Sequence, residues 1–238
     1  MMLGLSDAVH FRRLVAGVCL IAAPLILLVG ALAHPQGKDS AIAHLAVVAE
    51  SPDRYYVAHA ILLGGLALFL PAVLGIMHLL TERATALGHI GFGLAMVGLF
   101  GATAIVAVDG IAISQMGQPQ ANVEEMAALL DRIKESPGLR AIAVLGAVSF
   151  LFGMLILAYG VWRAKAVQPL VAGLIAAAAI AFFIGQVTDN RIIFALGFAI
   201  YIAGLGPLGW RILVESDEEW ALDSAGPTAT PARPITSG

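Results

Sequence analysis

Six stretches of the chain run for about 20 residues or more with almost no charge, the length an α-helix needs to cross roughly 30 Å of hydrocarbon. They are Leu14 to Ala33, Tyr56 to Leu80, Ile90 to Ile113, Ala141 to Val161, Val167 to Val187 and Ile192 to Leu213. The expected fold is therefore an all-α membrane helix bundle with six transmembrane helices. Composition agrees: 60% of the 238 residues are hydrophobic and 12% are charged, half the ~25% of an ordinary soluble domain. A water-soluble core could not hide that much apolar surface.

The same reading excludes several functions. The net charge of −3 gives no electrostatic footprint for nucleic acid. Cys19 is the single cysteine, so one chain builds no disulfide framework, paired-thiol centre or cysteine-rich metal site. Gly37-Lys38 lacks the upstream glycine of a phosphate loop and is followed by Asp39 rather than Ser or Thr, which leaves nucleotide binding unsupported.

Lys and Arg are divided almost evenly between the two sides of the bundle, with Lys38 among the charges expected outside. The Arg12-Arg13 pair beside the first span places the N-terminus in the cytoplasm, since the flanks of the first helix usually dominate. Trp162-Arg163 and Trp210-Arg211 end the fourth and sixth spans on that same side. Ala31-Leu32-Ala33 offers a signal-peptidase-like site, yet the apolar run before it exceeds the 7–15 residues of a typical signal sequence, so it reads as a retained span. Residues 1–213 are expected to form the transmembrane domain. Residues 214–238, acidic and then rich in Pro and Thr, are expected to be a disordered cytoplasmic tail, with Trp220 as a possible docking point. The location implied is the cell membrane, with both termini cytoplasmic.

Two of the loops carry a pattern of their own. Asp39 or Ser40 can cap a short helix bearing Ile42, Leu45 and Val48 that stops at Glu50-Ser51-Pro52, because proline restrains the residue before it. Asn122 and Glu125 open a second one, bearing Val123, Met126, Leu130 and Ile133, that stops at Glu135-Ser136-Pro137. Residues 40–50 and 122–135 are thus predicted to be amphipathic lid helices lying on the bundle. The unit of outward helix, lid, Ser-Pro break and inward helix occurs twice, and a third hairpin lacks its lid. Small residues at Gly91, Ala95, Gly98 and Ala102, at Gly173, Ala177, Ala181 and Gly185, and at Ala195, Ala199 and Ala203 predict faces of close helix packing.

Ionisable groups within spans are functional candidates by default, and only Asp109 and Arg211 qualify as charged. Neither sits near the midplane, which argues against ion-coupled transport. All six histidines fall in the first 89 residues. His78 and His89 flank the turn between the second and third spans at one depth and are candidate cofactor ligands. His34, His59 and Asp53 are candidate metal ligands, with His44 in the same loop. Asp109 and Asp189 form, with Arg54, Arg140 and Arg191, a polar cluster at the outer rim near His59, Gln186 and Asn190, read first as salt bridging. No catalytic residue is assigned and no cofactor is named.

Arg12-Arg13-Leu14-Val15-Ala16-Gly17 leading to Ala33-His34-Pro35, and Leu87-Gly88-His89-Ile90-Gly91 opening the third span, resemble a group of small bacterial six-span membrane proteins of undefined function. The resemblance implies the fold and lends no catalytic residue. The leading functional reading is a non-enzymatic protein: an accessory subunit with a membrane-protein partner, or a binder of an apolar ligand such as a lipid or quinone. The alternatives are a metal- or b-haem-dependent redox protein using His34, His59, His78 and His89, and an intramembrane hydrolase or lipid-modifying enzyme.

Overall fold

The computed structural model describes residues 5–37, 40–81 and 83–225, and every regular element in them is helical. Helix α1 spans Leu5–Ala33, α2 Ala41–Glu50 and α3 Pro52–His78. Helix α4 spans Thr85–Met116, its last turns widened by a π-helical segment at Asp109–Ile113. Then follow α5 (Val123–Glu135), α6 (Pro137–Arg163), α7 (Pro169–Val187), α8 (Arg191–Val214) and α9 (Asp217–Ala225). Six of these, α1, α3, α4, α6, α7 and α8, are long and apolar enough to cross a membrane. Their outward surfaces expose Ile192 at 80%, Leu170 at 70% and Phe100 at 68%, side chains that only lipid would cover at such density. The chain is a multi-pass integral membrane protein.

The local chemistry explains where the helices begin. Pro52, Pro137 and Pro169 each occupy a first helical turn, where a missing N–H costs nothing. Asn190 caps α8 by accepting from the amides of Ile192 and Ile193, both at 3.1 Å. Pro24, Pro71 and Pro207 lie inside continuous helices.

The six spans form a ring in which α1 packs on α3, α3 on α4, α4 on α6, α6 on α7, α7 on α8, and α8 back on α1. The densest packing joins the two long helices of each hairpin, as the repeated unit implies. On α6, a Cβ at Gly153 would lie 2.4 Å from the Ala95 nitrogen, so the α4–α6 seam requires glycine there. The stripe predicted on α7 is corrected in part. Gly185 packs against the backbone of Phe194, but Gly173 and Ala177 face outward and α7 buries Ala172, Ile175, Ala178 and Ala179 instead. Alanine recurs on both faces of this helix, so spacing alone does not select between them.

Both lids form as predicted. Ser40 caps α2 by accepting from the Ala43 amide at 3.2 Å; Asp39, the other candidate, and Lys38 lie outside the described residues. Asn122 caps α5 through the amides of Glu124 and Glu125. The lids pack on each other and on the end of α4, where Leu45, Val48, Ile113, Met116 and Leu130 make a second small apolar core.

At the opposite end the two termini meet. Arg13, 7% exposed, donates from Nε to Asp217 at 2.7 Å and from its NH1 to the carbonyls of Ile212 and Leu213 at 3.0 and 2.8 Å. The expectation of disorder after Val214 is corrected for Asp217–Ala225, which is helical. Ser216 and Glu219 bond reciprocally, amide to side chain, at 3.2 and 2.8 Å, a capping box that nucleates the turn. Trp220 is 2% exposed and stacks on His78 with ring centroids 4.2 Å apart. Residues 226–238 of the expected tail lie outside the described residues.

Candidate functional site

Beneath the lids the ring borders a half-open chamber of about 340 Å³. Its upper wall carries His34 after α1, His44 on α2, Tyr55 and His59 on α3, Asp109 on α4, and Lys134 on α5. The α7–α8 turn completes it with Gln186, Asp189, Asn190 and Arg191. Its lower wall is apolar, formed by Ala31, Leu62, Ile105 and Phe194.

Tyr55, 2% exposed, organises the aromatic side. Its ring lies 4.4 Å from that of His59 and 5.2 Å from that of His34, and the two imidazoles are 4.6 Å apart. The Tyr55 hydroxyl meets His44 Nε2 at a long 3.4 Å. His59 Nδ1–H donates to the Tyr55 carbonyl at 2.8 Å, which fixes the tautomer and leaves Nε2 as a bare acceptor.

Gly110 makes room for this ring. A Cβ there would lie 2.5 Å from the His59 Cβ, and Gly110 falls in the π-helical turn that begins at Asp109, a distortion frequent at functional sites. Asp189 has φ of 48°, the left-handed region that Asp tolerates better than most residues.

Burial pushes the His34 imidazole down to about 4, helped by the nearby His59 and opposed by a bond from its ring to the Pro35 carbonyl. Burial and then Lys134 lower His44, with Asp189 acting the other way. Both rings are therefore neutral acceptors or donors near pH 7 rather than cations.

Not every candidate converges here. His34, His59, Asp109, Asp189 and Arg191 line the chamber, whereas Asp53 is exposed in the first turn of α3 and does not. Arg54 and Arg140 donate to the carbonyls of Ala33 and Lys134, both at 3.1 Å, and Arg191 donates to that of Leu32. Among the described residues these arginine–carbonyl bonds stand where rim salt bridges were expected. At the other end His78 Nε2–H donates to the Trp220 carbonyl at 3.2 Å, while His89 Nδ1–H donates to that of Thr85 at 2.9 Å. Each ring bonds a different carbonyl. Among the described residues no three His, Cys, Asp or Glu side chains converge as a metal site.

Tyr55 and Lys134 were missed by sequence reasoning. Tyr55 reads as one more interfacial aromatic and Lys134 as a charge on a lid's solvent face. The Ser-x-x-Glu spacing at Ser216 was the available signal for α9.

Directly below, an apolar slot takes lining from all six spans, including Leu27, Leu66, Gly98 and Ala147, and shares Ile105 and Gln186 with the chamber. Phe69, Phe150, Phe182, Phe194, Phe198 and Tyr201 interlock around it with centroids 5.0 to 5.7 Å apart, leaving about 20 Å³ of open space. The chamber is a cup with an aromatic floor. Comparisons of the chain with protein-family models, curated proteins and solved structures return no match.

Proposed function

We propose that this protein binds an amphipathic small molecule of the membrane, with its polar head in the chamber and its apolar part on the aromatic floor. The observation that carries this reading is the adjacency of the two spaces: Ile105 and Gln186 line both the polar chamber and the apolar slot. Sites of this kind are typically apolar with a few converging polar groups, and the chamber has that division from top to bottom. A lipid or a quinone has the matching form. In this reading the protein lies in the cell membrane with both termini cytoplasmic and the lids outside, and it serves either alone or as the ligand-holding subunit of a membrane partner.

The hydrolase alternative would use Asp109 and His59, and both line the chamber, although no serine, threonine or cysteine does among the described residues. Ser114, close by and buried, donates to the Ile111 carbonyl instead.

The test is extraction of the detergent-purified full chain with organic solvent and mass spectrometry of what it held. A stoichiometric amphiphile is expected, and Ile105→Trp, which narrows the junction of the two spaces, should release it at a nearly unchanged melting temperature. A parent protein that retains no amphiphile and takes none up from added lipid or quinone would overturn the reading.

A further inference from the structure

A second constellation lies at the opposite end of the bundle from the chamber, on the turn between α6 and α7. Helix α6 closes there in a Schellman motif: the Lys165 amide donates to the Trp162 carbonyl and the Ala166 amide to the Val161 carbonyl, both at 3.0 Å. The motif needs a left-handed residue at Lys165, whose φ is 55°, and glycine fills that position most often because a Cβ strains it. Here a lysine stands in its place. It holds a cation at the tip of the turn at a cost in stability, the kind of outlier that marks a functional position.

The turn borders two open hollows. Trp162 and Arg163 line one, Gln168 and Arg211 the other, and Lys165 lines both. Arg211 is committed, since it donates to the Ala166 carbonyl and pairs with Glu215 at 2.8 Å. Arg163 and Lys165 are exposed, and among the described residues no ion pair takes either of them. Their own hairpin offers no carboxylate, because the chain has no Asp or Glu between Glu135 and Asp189.

The neighbours set the depth. Tyr159 and Trp162, with rings 5.6 Å apart, and Trp210 on α8 are exposed on the outer surface, and such aromatics gather at the level of lipid headgroups. Leu170, in the first turn of α7, is exposed beside them. An occupant must therefore be anionic against Arg163 and Lys165 and apolar against Leu170. A choline head would set its own cation against both, with no acidic residue in the hairpin to receive it.

We propose that the α6–α7 turn binds the head of an anionic phospholipid of the phosphatidylglycerol kind, with its phosphate held by Arg163 and Lys165 and its acyl chains along the outer face of α7.

Native mass spectrometry of the detergent-solubilised full chain, titrated with phosphatidylglycerol or with phosphatidylcholine of the same acyl chains, reads the number and affinity of bound lipids. One phosphatidylglycerol should bind at least about tenfold more tightly than any phosphatidylcholine. Lys165→Gly is the decisive variant, because glycine relieves the left-handed backbone. It should melt at or above the parent and yet hold the lipid about fivefold more weakly, the scale of one basic group at an anionic surface. Arg163→Gln should weaken binding by a similar factor. Arg12→Gln removes an exposed cation that lines neither hollow and should leave the affinity nearly unchanged. Equal affinity for the two lipids, or full affinity in Lys165→Gly, would overturn the inference. An equal loss in Arg12→Gln would do so by showing attraction to basic charge at large, and displacement by excess inorganic phosphate by showing a site for a free anion. None of these outcomes bears on the ligand of the chamber, which lies at the other end.

Discussion

Where the termini meet, the polar side chains are tied to fixed partners. Arg13 holds Asp217 and two carbonyls, Arg211 pairs with Glu215 at 2.8 Å, and His78 lies against Trp220. At the lid end, neutral histidines, two aspartates and a lysine surround about 340 Å³ of open space. Polar groups gathered in weakly solvated surroundings cost stability unless something bonds them, so the two ends bear different loads. The terminal end fastens the ring, and the lid end keeps a polar chamber within it. Substitutions at the first end should therefore cost stability, and those at the second should cost occupancy or lid closure.

The largest effect should come from Trp220→Ala, which removes the anchor of α9. Truncating a buried Trp costs about 3–5 kcal/mol. The loss should be local, with α9 amides exchanging rapidly with solvent while the six spans stay protected. Uniform loss of protection across the bundle would show that the terminal end is part of the core rather than a fastening on it.

Leu130→Ala applies the same question to the lids. Leu130 is 1% exposed in the small core between α2, α5 and the end of α4, and a truncation of this kind costs about 2–5 kcal/mol, at the lower end for a satellite cluster that can collapse. Faster hydrogen exchange confined to residues 41–50 and 123–135 is expected. Unchanged exchange there would mean that the lids are held by something other than this cluster.

Much of this division was legible in the sequence, and the reason for the remainder is physical. Span length and the Ser-Pro breaks located the six helices and both lids, because each is a local property of one segment. The face that each span turns inward is different. A helix apolar on all sides carries little polarity signal for its rotation, and so the stripe of small residues on α7 was read in part on the wrong face, Gly173 and Ala177 turning outward while Gly185 packs. Convergence of Tyr55, Asp109, Lys134 and Asp189 from four elements is likewise a tertiary property. Asp109 and His59 could still be singled out, because an ionisable group inside a span is conspicuous wherever it points. The helix around Trp220 was hidden by its acidic composition, although its capping box lay in plain order from Ser216 to Glu219.

Acidification should separate the two ends. His34 falls to about 4 in the folded protein from an ordinary 6.5. Below pH 6.5 the unfolded chain therefore gains a proton that folded His34 refuses, and stability declines from there toward pH 4. His44 is shifted in the same direction. At the terminal end, Asp217 is held below its ordinary 3.8, chiefly by the hydrogen bond from Arg13, so its contribution persists until the pH falls beneath that value. Melting followed through the one buried thiol, Cys19, should shift downward between pH 7 and 5 in the parent and less in His34→Gln. Equal slopes in the two proteins would remove His34 as the source.

The smallest effects belong to the inner histidines, and they set one end's bonding against itself. His78 both stacks on Trp220 and donates to its carbonyl, so His78→Gln, which keeps a donor but loses the stack, should cost about 1 kcal/mol. His89 is exposed and bonds only one turn back, to Thr85, among the contacts described. A substitution at such a surface position stays within about 0.5 kcal/mol. His89→Gln should therefore melt with the parent while His78→Gln melts slightly lower, and neither should change the metal content of the purified protein. If the two variants lost equal stability, or both released a stoichiometric metal, the histidines would be acting as a pair. The place where the termini meet would then hold a site of its own, and its contrast with the lid end would fail.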